Sequence, residues 1–355
     1  MKELVCTTER KESYTILLER GLSKHIYELG HIFSKYKKIV IISDKNVAKH
    51  YLSRVRKQLR SFDSEVITII IAPGENSKNL AQAEEIFYKL QETKITRIDA
   101  IVALGGGVVG DLAGFCAANY LRGIDFIQIP TSLLAQVDSS IGGKVGIDLG
   151  YAKNLVGAFY QPKSVIVDPD LLETLEDHYL TDGMGEVIKY ACISSTRLFV
   201  RLMAYEYHED LMADMEEIVG KCIQIKRNVV EKDEKEQGLR RVLNFGHTIG
   251  HVIESYFEFE RYSHGEAVAI GMYNITKMSV QEGLTKPETL TNMRILLDNF
   301  GLAYEMPEMD IQRVEEILMN DKKFEDDILN VCIIPEIGKS EIVKIHKRQA
   351  IKLFS

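Results

Sequence analysis

What this 355-residue sequence lacks narrows its identity first. No apolar run approaches the ~20 residues that a membrane-spanning helix needs. Charges at Lys2, Glu3, Glu9, Arg10, Lys11 and Glu12 stand where a secretory signal would carry its apolar core. The five cysteines (Cys6, Cys116, Cys192, Cys222, Cys332) are odd in number, scattered, and never spaced Cys-x-x-Cys. That pattern argues against a disulfide framework and fits reduced thiols in a cytoplasm. Internal repeats and low-complexity linkers are absent, and prolines number only 7. Positive charge is the scarcer sign: 44 Lys and Arg against 52 Asp and Glu leave a net charge of -8. Such a balance disfavours non-specific contact with nucleic acid or an anionic membrane, and points to a small-molecule partner.

What is present falls into two textures. In the first half, short β-branched runs (38–43, 66–71, 100–104, 126–130 and 165–168) alternate with helix-period stretches such as 79–91. Near-continuous apolarity suits strands buried on both faces, so the rhythm predicts a mostly parallel, Rossmann-like α/β sheet. After about Asp177 the spacing predicts helices over 181–206, 210–232, 244–258, 264–282, 286–299 and 310–320, with late strands near 330–335 and 341–345. The expected organisation is an α/β domain over 1–176 and a mainly helical domain over 177–355, with the active site in the cleft between them.

Three of the nine histidines, His247, His251 and His264, fall within eighteen residues. Imidazole is a common metal ligand, and the i, i+4 spacing puts His247 and His251 on one helical face. A zinc-peptidase helix is excluded, because Thr248 follows His247 where a glutamate is required. Glu186 and Lys189 share a face of an apolar helix; a buried carboxylate there needs an ion pair or a cation to ligate. Gly105, Gly107 and Gly110 form G-x-G-x-x-G after a strand and before a helix, a turn that offers backbone N–H groups to a pyrophosphate. Its place after the third strand of the pattern departs from a standard dinucleotide fold. Asp44, ending the first strand of the pattern, suits ribose hydroxyls and favours NAD over NADP. Glu75 and Lys78 follow the next strand. The stretch 138–148 with Lys153 and Asn154 reads as a polar, glycine-rich loop, and Lys189, Lys226 and Arg240 sit among apolar residues. On an acidic chain, such cations suggest capture of an anion.

Taken in order, these motifs resemble the 3-dehydroquinate synthase family of sugar phosphate cyclases over nearly the whole chain. The resemblance rests on Pro-Gly-Glu-x-x-Lys at 73–78, Gly-Gly-Gly-Val-Val-Gly-Asp at 105–111, Arg122-Gly, residues 130–144, Lys153-Asn154, Gly185-Glu-Val-Ile-Lys189, Leu243-Asn-Phe-Gly-His-Thr and His264-Gly-Glu. It implies an NAD-dependent, metal-requiring carbon–oxygen lyase that cyclises 3-deoxy-D-arabino-heptulosonate 7-phosphate to 3-dehydroquinate and phosphate. Glu186, His247 and His264 are implied as ligands of zinc or cobalt. His251, Lys144, Lys189, Glu236 and Asp138 are implied to be catalytic. Substrate contacts are implied for Arg122, Lys144, Asn154, Lys189, Lys226, Arg240, Asn244, His251 and Lys322 or Lys323, with Arg122 reaching across a homodimer interface. NAD contacts are implied for Asp44, Glu75, Lys78, Gly106, Gly107, Val108, Val109, Gly110, Asp111, Thr131, Ser132, Lys144, Lys153, Leu171 and Thr174. In the family the substrate's own phosphate is thought to take the proton, which matches an expected site rich in cations and poor in carboxylate bases. Sister cyclases acting on other sugar phosphates, and metal-dependent polyol dehydrogenases, are the alternatives. Arg240, Lys226 and Asn244 argue against the first, and the lysine-rich pocket against the second.

Overall fold

The computed structural model describes residues 13–150, 152–206, 208–319, 324–325, 328–346 and 350–354. Six parallel strands form the first half's sheet: β1 (Thr15–Leu18), β2 (Lys38–Asp44), β3 (Glu65–Ile71), β4 (Ala100–Gly105), β5 (Asp125–Pro130) and β8 (Ser164–Val167). Their order is β1-β8-β5-β4-β2-β3. Short helices α1 (Gly30–Phe33), α2 (Lys45–Val47) and α3 (Ser53–Leu59) precede the longer α4 (Leu80–Glu92) and α5 (Gly107–Asn119). One face of the sheet buries Ile39, Ile41 and Val102 beneath Phe33, Val55 and Leu59; the other buries Val40, Ile42 and Ile101 beneath Ile86, Leu112 and Phe115. Both faces being covered explains why these strands read as unbroken apolar runs.

The chain runs outward from β2 to β3, then crosses back over β2 to place β4 on its other side. The order therefore reverses between β2 and β4, and the crevice beyond their carboxyl ends is where open α/β sheets bind ligands. This explains the late glycine turn. β4 comes fourth along the chain, but it is central in space and adjacent to the strand that ends in Asp44.

The second half contains α6 (Asp177–Ser194), α7 (Thr196–Met203), α8 (His208–Ala213), α9 (Met215–Val230), α10 (His247–Tyr256), α11 (His264–Gln281), α12 (Pro287–Asn299) and α13 (Ile311–Met319). A three-stranded antiparallel sheet follows, ordered β11 (Lys339–His346), β10 (Ile328–Glu336), β9 (Phe324–Glu325). Two expected helices are broken, the first where a short polar side chain competes for a backbone group. The stretch 181–206 divides at Ser195, whose hydroxyl accepts Leu198 N at 3.2 Å and starts α7; 210–232 divides at Asp214. The expected glycine-rich loop is in part an antiparallel hairpin, β6 (Lys144–Leu149) with β7 (Ala152–Phe159), in which Gly146 faces Gly157. Glycine content hid these strands. β1, four residues at the sheet edge of which three are half-buried and Thr15 is exposed, escaped for want of length.

Candidate active site

A cleft of about 1990 Å3 is lined by both halves. On the α/β side, Gly106 is the N-cap of α5 and Gly107 its first residue, so the helix's opening N–H groups face the cleft. A Cβ on Gly106 would lie 3.3 Å from Ser132 Oγ, and one on Gly107 3.2 Å from Ser139 Oγ. The turn is thus seated on the strand end carrying Thr131 and Ser132, and both of these with Val108 and Val109 line the cleft. Asp44 lines it too, and its carboxylate caps α2 by accepting from Asn46 N (2.8 Å) and Val47 N (3.1 Å).

Lys78 is buried at the hub of an acidic ring: its Nζ lies 2.5 Å from Glu75, 3.4 Å from Asp111 and 3.8 Å from Asp148. Burial, only partly offset by Lys78, pushes the Asp111 carboxyl up to about 6. Lys153, on β7, lies 3.9 Å from Glu75 and 3.0 Å from Glu254 of α10.

Across the cleft, glycines bring three helices into contact. A Cβ on Gly185 of α6 would lie 2.6 Å from Gly265 O, and one on Gly265 of α11 only 1.9 Å from Asp182 O. These two glycines let the α6 and α11 backbones touch, which sets Glu186 beside His264. Asp182 accepts from Gly265 N at 2.5 Å, and Ser263 and Glu266 form a capping box, so the first turn of α11 is fixed. Gly246, at φ 80°, swings the chain into α10 with His247 as its first residue.

The result is a tight donor cluster. Glu186, His247 and His264 each offer an atom within 4.8 Å of the others. Both imidazole Nε2 atoms lie 3.5 Å from Glu186 Oε1. Phe245 O lies 3.2 Å from His247 Nδ1 and Glu254 Oε1 3.4 Å from His264 Nδ1, contacts that assign the ring protons to Nδ1 and turn both Nε2 atoms inward. Glu186 is fully buried, and neither oxygen accepts a hydrogen bond of ordinary geometry, although Lys189 Nζ approaches as an ion pair. Despite burial, which opposes it, Glu254 and Glu186 push the His264 imidazole up to about 10. A buried carboxylate with unsatisfied oxygens, faced by two inward-turned Nε2 atoms, fits a divalent cation. Two nitrogens and one carboxylate leave positions open for a ligand's oxygens, as catalytic rather than structural sites do.

The expected cations converge beside this cluster. Lys189 is 1% exposed and Arg240 2%. Lys226 Nζ lies 2.9 Å from Asp138 Oδ1 and donates to Asp138 O at 2.6 Å; Lys189 lies 3.8 Å from the same carboxylate. Burial, partly offset by Asp138, pulls the Lys226 amine down to about 8. Burial also opposes the Asp138 carboxylate, but Lys226 and Lys189 hold it well below the usual range. Arg240 donates to Gly142 O (3.3 Å) and Glu234 O (2.5 Å). Glu236, in the left-handed region at φ 59°, bridges Lys144 and Asn244. Asp138, Glu186 and Glu236 each sit against a cation, which keeps buried positive charge paired until an anion arrives.

His251 and Asn154 also line the cleft, Asn154 at φ 51° with its N–H on Asp148. Thr174 reaches the cleft beside Tyr51. Four expected residues do not, Glu186 among them because it is fully buried behind the cleft wall. Gly110 lies one turn inside α5, where a Cβ would meet Gln128 Oε1 at 2.8 Å; Leu171 is core, its carbonyl taken by Tyr51. Arg122 sits outside this cleft, at φ 67° in the turn before β5. Lys322 and Lys323 lie outside the described residues. Sequence reading missed Glu254, buried behind His264, and Tyr190, whose hydroxyl donates to Asp138. Glu254 could have been found as the lone acid of an apolar helix, seven residues after His247 and hence on its face.

Residues 68–182 match the 3-dehydroquinate synthase N-terminal family and residues 183–324 the 3-dehydroquinate synthase C-terminal family. A 3-dehydroquinate synthase of Clostridium acetobutylicum is 46% identical over 345 residues, 96% of each chain. One of Clostridium perfringens is 48% identical over 342 residues, 96% of this chain and 97% of its own. Among solved structures, 2-deoxy-scyllo-inosose synthase complexed with carbaglucose-6-phosphate, NAD+ and Co2+ superposes with a TM-score of 0.85 at 25% identity, covering 97% of each chain.

Proposed function

This chain belongs to the 3-dehydroquinate synthase family, and we propose that its cleft cyclises 3-deoxy-D-arabino-heptulosonate 7-phosphate to 3-dehydroquinate with release of phosphate. It is a carbon–oxygen lyase of the shikimate pathway, which feeds aromatic amino acid biosynthesis. The observation that carries this reading is the buried Glu186, facing two imidazole nitrogens at 3.5 Å beside Lys226 and Arg240 and across the cleft from a glycine-turn helix start.

Glu186, His247 and His264 would hold a zinc or cobalt ion, and the 105–111 turn with Asp44, Glu75, Lys78 and Lys153 would hold NAD. When bound, NAD supplies a reversible hydride acceptor and the metal a Lewis acid for the reacting oxygens. The chain's own residues bind and orient. Arg240 and Lys226 take the substrate carboxylate, an anion able to replace the carbonyl and carboxylate partners they now hold. Lys189 and Asn244 contact substrate hydroxyls. Lys144, Asn154 and His251 face the phosphate, with Glu236 setting the position of Lys144 through their contact. Lys322 or Lys323 would complete the phosphate site.

The working domain boundary is 176/177, where α6 begins; the two family matches meet at 182/183, inside that helix. No described helix is long and apolar enough to cross a membrane. Free thiols at the buried Cys116, Cys192, Cys222 and Cys332 support a cytoplasmic setting. We assign the enzyme as a homodimer in which Arg122, outside its own cleft, serves the partner's phosphate site. Mixing inactive Arg122→Ala chains with inactive Lys144→Ala chains should restore activity; a fully active monomer contradicts the shared arginine. The reaction itself is tested by supplying the heptulosonate phosphate with NAD and metal. Phosphate and 3-dehydroquinate should appear together, and turnover of a sugar phosphate lacking the carboxylate in preference to it would reject this substrate.

A further inference from the structure

Glu254 plays no part in the reaction described above, yet it is 3% exposed, and a buried carboxylate must be held by something. Its Oε1 lies 3.4 Å from His264 Nδ1 and 3.0 Å from Lys153 Nζ, and a His251 ring nitrogen comes within 4.8 Å of the same carboxylate. His264 belongs to the donor cluster of the helical half. Lys153 belongs to the β6–β7 hairpin, which is tied to the 73–79 loop through the Asp148 N–H on Lys78 O at 2.8 Å and the Asn79–Asp148 bridge. Lys153 is also capped by the Phe259 ring, with Nζ 4.2 Å from its centroid. Phe259 has φ 62°, a strained conformation for a bulky residue, and strain of this kind persists only where the surroundings enforce it.

We propose that Glu254 is the positioning residue for His264, and that Lys153 makes it a latch joining the nucleotide-facing hairpin to the metal cluster. The inference rests on the reading that Glu186, His247 and His264 hold a divalent ion. A ring whose Nδ1–H is given to a carboxylate has its tautomer and its rotation fixed, so Nε2 is presented inward, and the carboxylate raises the ring's strength as a donor. Lys153 supplies the counter-charge that lets Glu254 stay ionised in its buried place. Movement of the hairpin therefore shifts the group that orients a ligand of the opposite half. In this proposal Glu254 acts through its contact with His264 rather than through contact with substrate or cofactor.

The test is zinc affinity, measured on metal-stripped full-length protein by competition with a chromophoric chelator, without NAD or substrate. Glu254→Ala should bind zinc about 10–100-fold more weakly per folded molecule, the usual cost of losing a carboxylate behind a histidine ligand. Glu254→Gln keeps an oxygen for His264 but loses the charge that pairs with Lys153, and should fall between wild type and Glu254→Ala. Lys153→Met cuts the same link from the other side. Combined with Glu254→Gln it should cost no more than the larger single loss, the non-additivity expected of one interaction. A merely structural bridge would lower the melting temperature and leave zinc affinity unchanged. Wild-type zinc affinity in Glu254→Ala, or additive losses in the double variant, overturns the proposal. If Glu254→Ala does not fold, Glu254→Gln decides: weaker zinc binding supports the latch and unchanged binding rejects it. Should wild-type protein bind no zinc, or Glu186→Ala bind it as wild type does, the metal reading fails and this inference with it.

Discussion

The two sides of the cleft meet their ligands with different parts of the chain. The α/β side leads with backbone, the start of α5 at Gly106 and Gly107 and the strand ends at Asp44 and Thr131, and sets beside it a ring of paired side-chain charges around Lys78. The helical side offers side chains, buried in or beside helices and aimed into one small volume from α6, α9, α10, α11 and the 239–244 turn. A backbone site tolerates almost any side chain except one that intrudes. A side-chain site fails when one member is removed, because each buried charge is satisfied by the next. The comparison teaches that the two halves should break under opposite kinds of substitution: added atoms on the α/β side, deleted atoms on the helical side.

The largest effect is expected from deletion at Glu186. Glu186→Ala leaves two imidazoles and a strongly desolvated lysine with no carboxylate between them. Loss of the bound ion should remove about 4 kcal/mol of catalytic stabilisation, roughly a thousand-fold in kcat. NAD affinity should stay near wild type. Elemental analysis with turnover checks this, and full activity in metal-free protein would break the division between the halves.

Arg240→Ala comes next. Losing one charge from a desolvated carboxylate site costs about 2–5 kcal/mol, or roughly thirty- to several-thousand-fold in kcat/KM. The carbonyls of Gly142 and Glu234 lose their donor as well, so the melting temperature should fall. Zinc content and NAD affinity of the folded fraction should not change. A drop in melting temperature with intact turnover would make Arg240 a bridge between loops and nothing more.

The smallest effect, and the one that probes the opposite side, is Gly107→Ala. The added methyl would lie 3.2 Å from Ser139 Oγ at the helix start that faces the ligand. Overpacking of this size costs about 1–2 kcal/mol, roughly five- to thirty-fold in NAD affinity, with metal affinity untouched. Equal loss of NAD and zinc binding would mean that the halves are not separable and would blur the comparison.

The same contrast explains what was legible in the sequence. The parallel sheet, Asp44 and the glycine turn follow from local pattern, because backbone sites are made by consecutive residues. The switch point between β2 and β4, a property of strand order, was hidden, and it is what gives the glycine turn its place. On the helical side, local pattern shows that His247, His251 and Glu186 are odd for their surroundings but not which of them meet. His247 and His251 share a helical face, yet Glu186 faces His247 and His264, from α10 and α11. Two close helix contacts at Gly185 and Gly265 decide this, and resemblance to a family supplied it in advance. Glu254 was missed because its spacing from His247 places it on that face without showing that it meets His264 of the next helix. The β6–β7 hairpin was missed because glycines facing each other across strands look like a loop.

The account's central claim is that backbone on one side and side chains on the other serve a single cyclisation in which NAD is needed but returned. One continuous measurement tests it: phosphate release and reduced-nicotinamide absorbance followed together on the wild-type protein given the heptulosonate phosphate, NAD and zinc. Phosphate should accumulate over many turnovers while the absorbance stays flat. NADH accumulating in step with substrate consumed would contradict the account and make the cleft that of a dehydrogenase.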